Sequence, residues 1–248
     1  MDGEDGRFLT RRCIVPELMD DPAADREDLA RSLQFIRMVN RRLGGAAAAL
    51  HHLRRWSRFW PPGETVRILD VGTGSADIPL AIVRWAAKEG FRVHITAVDL
   101  HETTLELARV AIEGRCEIEL VQANALHLMD QFKPGSFDYA HAGMFLHHLQ
   151  DIEVVTVLRI MDRLATGSVI WNDLIRGVMA RIGVRLAILA YPGLPAMARH
   201  DARVSVQAGF TKAEAIDLAE RAGLSPVAYR RHRFHRFTLV NHKQRPGS

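Results

Sequence analysis

Cysteine is nearly absent from this chain: Cys13 and Cys116 are the only two in 248 residues. They are far apart and form no metal-ligand spacing, so a disulfide framework is excluded and a reducing cytoplasm is the simplest setting. No apolar run approaches the ~18 residues that a spanning helix needs. Met1 to Gly6 is acidic and lacks an apolar stretch, so no signal peptide is expected. No Gly-Lys-Ser/Thr occurs in the glycine turn discussed below, which excludes a P-loop. Long basic runs interleaved with aromatics are also missing. The nearest, Arg230 to Arg236, is short and alternates in strand fashion, so no nucleic-acid partner is expected.

The bulk composition is that of a globular domain, 48% hydrophobic and 25% charged. Its length suits one α/β domain. The net charge of +4 comes from arginines spread along the chain.

Residues 1 to about 20 read as poorly structured. Leu29, Leu33, Ile36, Val39 and Leu43 then recur at helical spacing. Gly44-Gly45 interrupts that helix, and a second runs on until Pro61-Pro62-Gly63 stops it. Residues 1–62 are thus expected to be an N-terminal helical cap on a domain over 63–248. From Glu64 the pattern is βαβα, with strands near 66–71, 93–98, 117–121, 137–141 and 167–172. Helices fall near 77–89, 102–112 and 151–164. Such alternation predicts an α/β fold, a parallel sheet with helices on both faces. A helical insertion follows near 174–210. Its first part, Leu174 to Tyr191, is apolar with Arg176, Arg181 and Arg185 set into it, and reads as a pocket lid in preference to a membrane-surface helix. Thr211 and Glu214 form a capping box for a helix over 211–222, and two closing runs lie at about 226–232 and 235–241.

The most informative stretch is Ile68 to Pro79. A buried strand stops at Gly72 and Gly74, and a helix begins near Ile78. Glycine has no Cβ, so a ligand can approach bare backbone there. Asp70 stands two residues before Gly72, where it can anchor an ammonium group directly or through water. Asp99 ends the next strand, 25 residues beyond Gly74, where an acid that grips ribose hydroxyls is expected. Both lie at carboxyl ends of strands, where ligands of parallel sheets sit.

Four blocks in order carry a family likeness: the glycine turn, Ala97 to Leu100, Val121 to Ala125, and Phe137-Asp138-Tyr139 leading into Phe145-Leu146-His147-His148-Leu149. Together they resemble the class I S-adenosylmethionine-dependent methyltransferases, in their small-molecule branch of secondary-metabolite and quinone enzymes, over roughly Val66 to Val240. The resemblance implies a Rossmann-like sheet closed by a C-terminal antiparallel hairpin, with S-adenosyl-L-methionine as cofactor. It places the cofactor on Asp70, Gly72, Thr73, Gly74, Asp77, Asp99, Leu100, Asn124, Ala125 and Ala142. Two positions depart from the family pattern. Ala76 replaces a third glycine and is expected to avoid left-handed φ. Asn124 replaces an acid and is expected to accept from the adenine amino group through its side-chain oxygen.

The expected reaction is methylation of a small molecule, most favoured on a phenolic, quinol or polyketide-type hydroxyl. Carbon methylation of a quinone-like ring and a non-catalytic cofactor-binding protein are the alternatives. Nucleic-acid methylation is disfavoured, since no Asn-Pro-Pro-Tyr-like segment occurs. A hydroxyl acceptor must lose a proton, so His147 and His148 are the candidate bases and Asp173 their candidate partner. Phe145, Arg176 and His200 are the expected acceptor contacts, and Asn40, Arg41 and Arg42 can reach the cofactor carboxylate. The remaining histidines show no ligand-like pairing, and no metal is expected. A homodimer and a membrane-surface contact stay open.

Overall fold

The structure, a computed structural model, describes residues 11–21, 23–241 and 243. Its centre is a seven-stranded sheet of order β3-β2-β1-β4-β5-β7-β6. The strands are β1 (Thr65–Val71), β2 (Arg92–Asp99), β3 (Ile118–Gln122), β4 (Phe137–Gly143), β5 (Ala165–Leu174), β6 (Val227–His232) and β7 (Arg236–Asn241). The first five are parallel. The last two form the terminal hairpin, β7 pairing antiparallel with β5. Strand order reverses between β1 and β4, and a crevice opens at such a point because their connections leave in opposite directions.

Alternate residues of the central strands feed two cores. On one face Leu69, Val169, Trp171 and Phe237 pack with Val154 and Leu158 of α5 (Asp151–Leu164) and Leu218 of α8 (Lys212–Arg221). On the other, Ile68, Ile95 and Ile170 pack with Ile82 of α3 (Asp77–Glu89), Ala108 of α4 (Glu102–Ala111) and Leu50 and Leu53 of α2 (Gly45–Trp56). Helix α2, expected as part of a cap, therefore belongs to a layer of the domain itself. Helix α1 (Arg26–Arg42) contributes to a third, smaller cluster, where Leu29 and Leu33 meet Met197 of α7 (Ala196–Ala208).

Tertiary contacts hold residues 11–21, ahead of α1, in place. Arg12 lies 4.0 Å over the Phe210 ring and donates to Ala208 O, His147 O and Leu149 O at 2.9–3.0 Å. The main-chain N–H groups of Leu18 and Met19 donate to the buried Asp201 carboxylate at 2.8 and 3.1 Å. Residues 1–10 lie outside the described residues. The insertion forms α6 (Val178–Ala190) and α7, but no residue of α6 lines the crevice, so the expected lid is not over the pocket. Among the described residues no helix is long and apolar enough to cross a membrane.

Trp171 anchors β5 beneath the crevice, its ring edge-on to Phe210 and Phe237 at 4.7 and 5.3 Å. Trp171→Ala is expected to cost about 3–5 kcal/mol in urea unfolding, because the surrounding rings cannot close the cavity.

Candidate functional site

The turn after β1 uses an unusual backbone. Gly72, Gly74 and Ala76 all have left-handed φ, at 69°, 54° and 55°. Ala76 thus adopts the conformation it was expected to avoid. Its methyl is fully buried and its N–H bonds to Thr73 O at 3.0 Å, contacts that offset a penalty of roughly 1–2 kcal/mol. Side chains from two strand ends fix the turn. Thr73 Oγ1 donates to Asp70 Oδ2 at 2.7 Å, and Gly74 N–H to Asp99 Oδ2 at 2.8 Å. Asp99 Oδ1 also accepts from His101 N–H at 3.1 Å. An ionised carboxylate has about four acceptor sites, so Asp99 retains capacity for a ligand hydroxyl. Burial holds its pKa above the usual value despite those two bonds, and burial also raises Asp77.

Asp70 lines the crevice and has a second partner. Its second oxygen lies 2.5 Å from His141 Nδ1, its β4 partner in register. With Nδ1 tied to the carboxylate, the remaining nitrogen, Nε2, is buried with no hydrogen-bond partner, and the residue lines the crevice. The ring lies over Gly143, where a Cβ would sit 2.6 Å from His141 Cε1. Sequence reading passed over His141. The available signal was its position opposite Asp70 near the end of the adjacent strand.

The crevice encloses about 480 Å³ and is lined by Asp70, Gly72, Thr73, Gly74, Asp77, Asp99, Leu100, Asn124 and Ala125, all expected cofactor residues. Ala142, expected with them, is buried in the hydrophobic core instead. Asn124 Oδ1 accepts from Leu126 N–H at 2.9 Å, so one of the lone pairs expected for adenine is used to cap a 3-10 turn. Asn40 reaches the crevice, while Arg41 and Arg42 are exposed at the helix end. The other wall is largely apolar: Leu33 and Ile36 of α1, Met19 before it, and Met144, Phe145 and Leu149 after β4.

His148 and Asp20 interrupt that apolar wall, with His148 Nδ1 2.7 Å from Asp20 Oδ2. His147, expected as a base, does not line the crevice. It is buried, its Nδ1 2.7 Å from Asp173 Oδ1 and its Nε2 3.5 Å from Glu17 Oε1. Burial opposes charge on the ring, but Asp173 and Glu17 outweigh it and push the pKa up to about 10. Asp173 also accepts from Trp171 Nε1 at 3.2 Å, and the His147 ring holds its pKa down against burial. Asp173 therefore does orient a histidine, as expected, though one outside the crevice. Arg176 and His200 are away from the crevice as well. Arg176 donates to Gly209 O and Glu214 beneath α8, and His200 Nδ1 is 3.1 Å from Asp201. Glu17, Met19 and Asp20 were missed because residues 11–21 carry no periodic signal.

A Cβ on Gly72 would lie 2.4 Å from the Phe145 ring. Gly72→Ala is expected to destabilise the fold by more than the ~1–2 kcal/mol of left-handed strain. In a double-mutant cycle with Phe145→Ala, the part of the clash due to the ring should disappear, while the contact with the residue-145 Cβ at 2.7 Å and the backbone strain remain, as read by denaturant midpoints.

Comparison with known proteins agrees with this geometry. Residues 68–166 match the family model of a methyltransferase domain. The demethylmenaquinone methyltransferase of Bacillus subtilis is 33% identical over 102 residues, which are 40% of this chain and 41% of that protein. The chain therefore spans about two fifths of the curated relative. Among solved structures, the CMeT domain of the citrinin polyketide synthase superposes with a TM-score of 0.60 at 15% identity, covering 78% of this chain and 51% of that one. A Methanococcus maripaludis protein superposes at 0.57 and 15% identity, covering 89% of this chain and 94% of the other. Residues 68–166 thus match a methyltransferase domain, and the sheet around them has the Rossmann-like fold of the class I methyltransferases.

Proposed function

We propose that the chain binds S-adenosyl-L-methionine in this crevice and transfers its methyl group to a hydroxyl oxygen of a small, largely apolar aromatic molecule. The observation that carries the cofactor reading is the turn itself. Gly72 and Gly74, both in left-handed backbone, present bare main chain to a 480 Å³ crevice, beside the half-buried Asp99 carboxylate with its spare acceptor sites. Asp99 would take the ribose hydroxyls, and the Asp70–His141 pair would face the ammonium of the methionine part, with His141 Nε2 as its unpartnered acceptor. Asn124 and Ala125 would border the adenine.

When bound, that cofactor supplies an electrophilic methyl on a sulfonium leaving group. The protein's share is then alignment and exclusion of water. Phe145, Met144, Leu149, Leu33 and Ile36 offer an apolar seat for an aromatic ring. The polar interruption by His148 and Asp20 favours an acceptor that carries a hydroxyl, whose proton must leave as its oxygen gains the methyl. A quinol-type ring suits the same wall and is favoured by the curated relative, which is named for demethylmenaquinone. Such a ring offers oxygen and carbon to the methyl, so carbon transfer is the second reading.

Calorimetry with S-adenosylhomocysteine is expected to give one site with a Kd below tens of micromolar. Asp99→Ala should weaken it by about 10–100-fold, the loss of hydrogen bonds to a charged acceptor worth ~1.5–3 kcal/mol. No binding by the unaltered chain would sink the proposal. With a ¹³C-labelled methyl donor and a panel of phenols and quinols, the methyl carbon resonance of any product separates oxygen from carbon transfer.

A further inference from the structure

Behind the acceptor wall, two histidines and a glutamate converge. His147 and His148 are adjacent in a 3-10 turn, their rings 4.4 Å apart. Each ring has its Nδ1 at 2.7 Å from a carboxylate, Asp173 for His147 and Asp20 for His148. That pairing leaves the two Nε2 atoms as the inner pair. They lie 3.5 and 3.9 Å from the same oxygen, Glu17 Oε1. One ligand atom from each of the three residues falls within 4.8 Å of the others. His147 Nε2 is buried and makes no hydrogen bond. Glu17 Oε1 also accepts from the Ser205 hydroxyl, which holds the carboxylate in place between the two rings.

We propose that Glu17, His147 and His148 form a binding site for a divalent transition-metal ion of the zinc class, with three protein ligands and one further coordination position. The ligand spacing suits it, because ligands about 2.0–2.2 Å from a tetrahedral zinc stand ~3.2–3.6 Å apart. The outer shell suits it as well. Metal-bound histidines characteristically donate their second ring N–H to a carboxylate, which fixes the ring and raises ligand basicity, and both rings here have such a partner. The charge balance points the same way. Three carboxylates, those of Glu17, Asp20 and Asp173, surround two imidazoles. The Arg12 guanidinium, bonded to the His147 carbonyl, is spent on Asp151 and main-chain carbonyls. Imidazole nitrogen with a single carboxylate selects zinc over magnesium or calcium, which prefer all-oxygen sets.

The site sits against the crevice, since His148, Asp20 and Met19 line it. A fourth ligand would be water or an oxygen of the bound acceptor. A zinc-bound hydroxyl is far more acidic than a free one. An acceptor bound there would release its proton to solvent before the methyl arrives, a use that rests on the proposed methyl transfer. The metal site itself does not rest on it.

The test is zinc titration of the chelator-treated full chain in competition with a chromophoric chelator, with metal content measured after dialysis. One equivalent per chain is expected. Glu17→Gln and His148→Ala should each weaken binding by more than about 100-fold, and Asp20→Asn by roughly 10–100-fold, as for loss of an outer-shell partner. His127→Ala, an exposed histidine elsewhere, should leave stoichiometry and affinity unchanged. Circular dichroism melts identify any variant that fails to fold, and the Glu17→Gln side chain keeps the shape of the original. Absence of stoichiometric zinc in the unaltered chain overturns the proposal, as does undiminished binding in folded Glu17→Gln and His148→Ala variants. S-adenosylhomocysteine calorimetry on the same samples separates the two readings. Zinc without that ligand removes methyl transfer alone, and that ligand without zinc removes the metal site alone.

Discussion

The bond from Gly74 N–H to the Asp99 carboxylate is the constraint on which the crevice depends. It joins the end of β1 to the end of β2, while Thr73 N–H reaches Val98 O at 2.9 Å and Thr73 Oγ1 reaches Asp70. Three residues in left-handed backbone are then held in one shape, at a conformational cost that neighbouring hydrogen bonds offset. Were that turn to relax, the helix after it would lose its start at Asp77, and the floor of the crevice would be lost with it.

The opposite wall is built by a different logic. It depends on residues 11–21, a stretch with little regular structure, held by Arg12 against Phe210 and by Asp201 against two main-chain donors. This strap brings Met19 and Asp20 to the apolar wall of the crevice, with Glu17 behind them, so the insertion after β5 supports the crevice from behind, through α7 and Asp201, and not as a lid. Helix α6 keeps an apolar outer face, with Met179, Leu186 and Leu189 exposed.

Two histidine–carboxylate systems flank the crevice and differ in kind. Asp70–His141 belongs to the sheet, joining β1 and β4 in register beneath the glycine turn. The cluster of His147, His148, Glu17, Asp20 and Asp173 joins the turn after β4 to the strap and to β5. The first stands on the glycine-turn side of the crevice and the second on its apolar side.

The strands, the helices of the βαβ units, the terminal hairpin and most of the glycine-turn side of the crevice were legible in the chain, because each is local: apolar period, capping residues and the glycine turn lie within about a dozen residues of one another. Gly72, Gly74, Asp99 and Asn124 could be placed at strand ends by that reading alone. Tertiary structure decided what depends on pairs far apart in sequence. His148 and Asp20 are 128 residues apart, and His141 and Asp70 are 71 apart, so no window of sequence contains either pair. Ala76 shows the same limit at short range, where propensity opposes left-handed φ and burial with hydrogen bonding overrides it. Local pattern determines which elements form and which loops face the crevice. Which side chains meet there is decided only when the sheet and the strap are assembled.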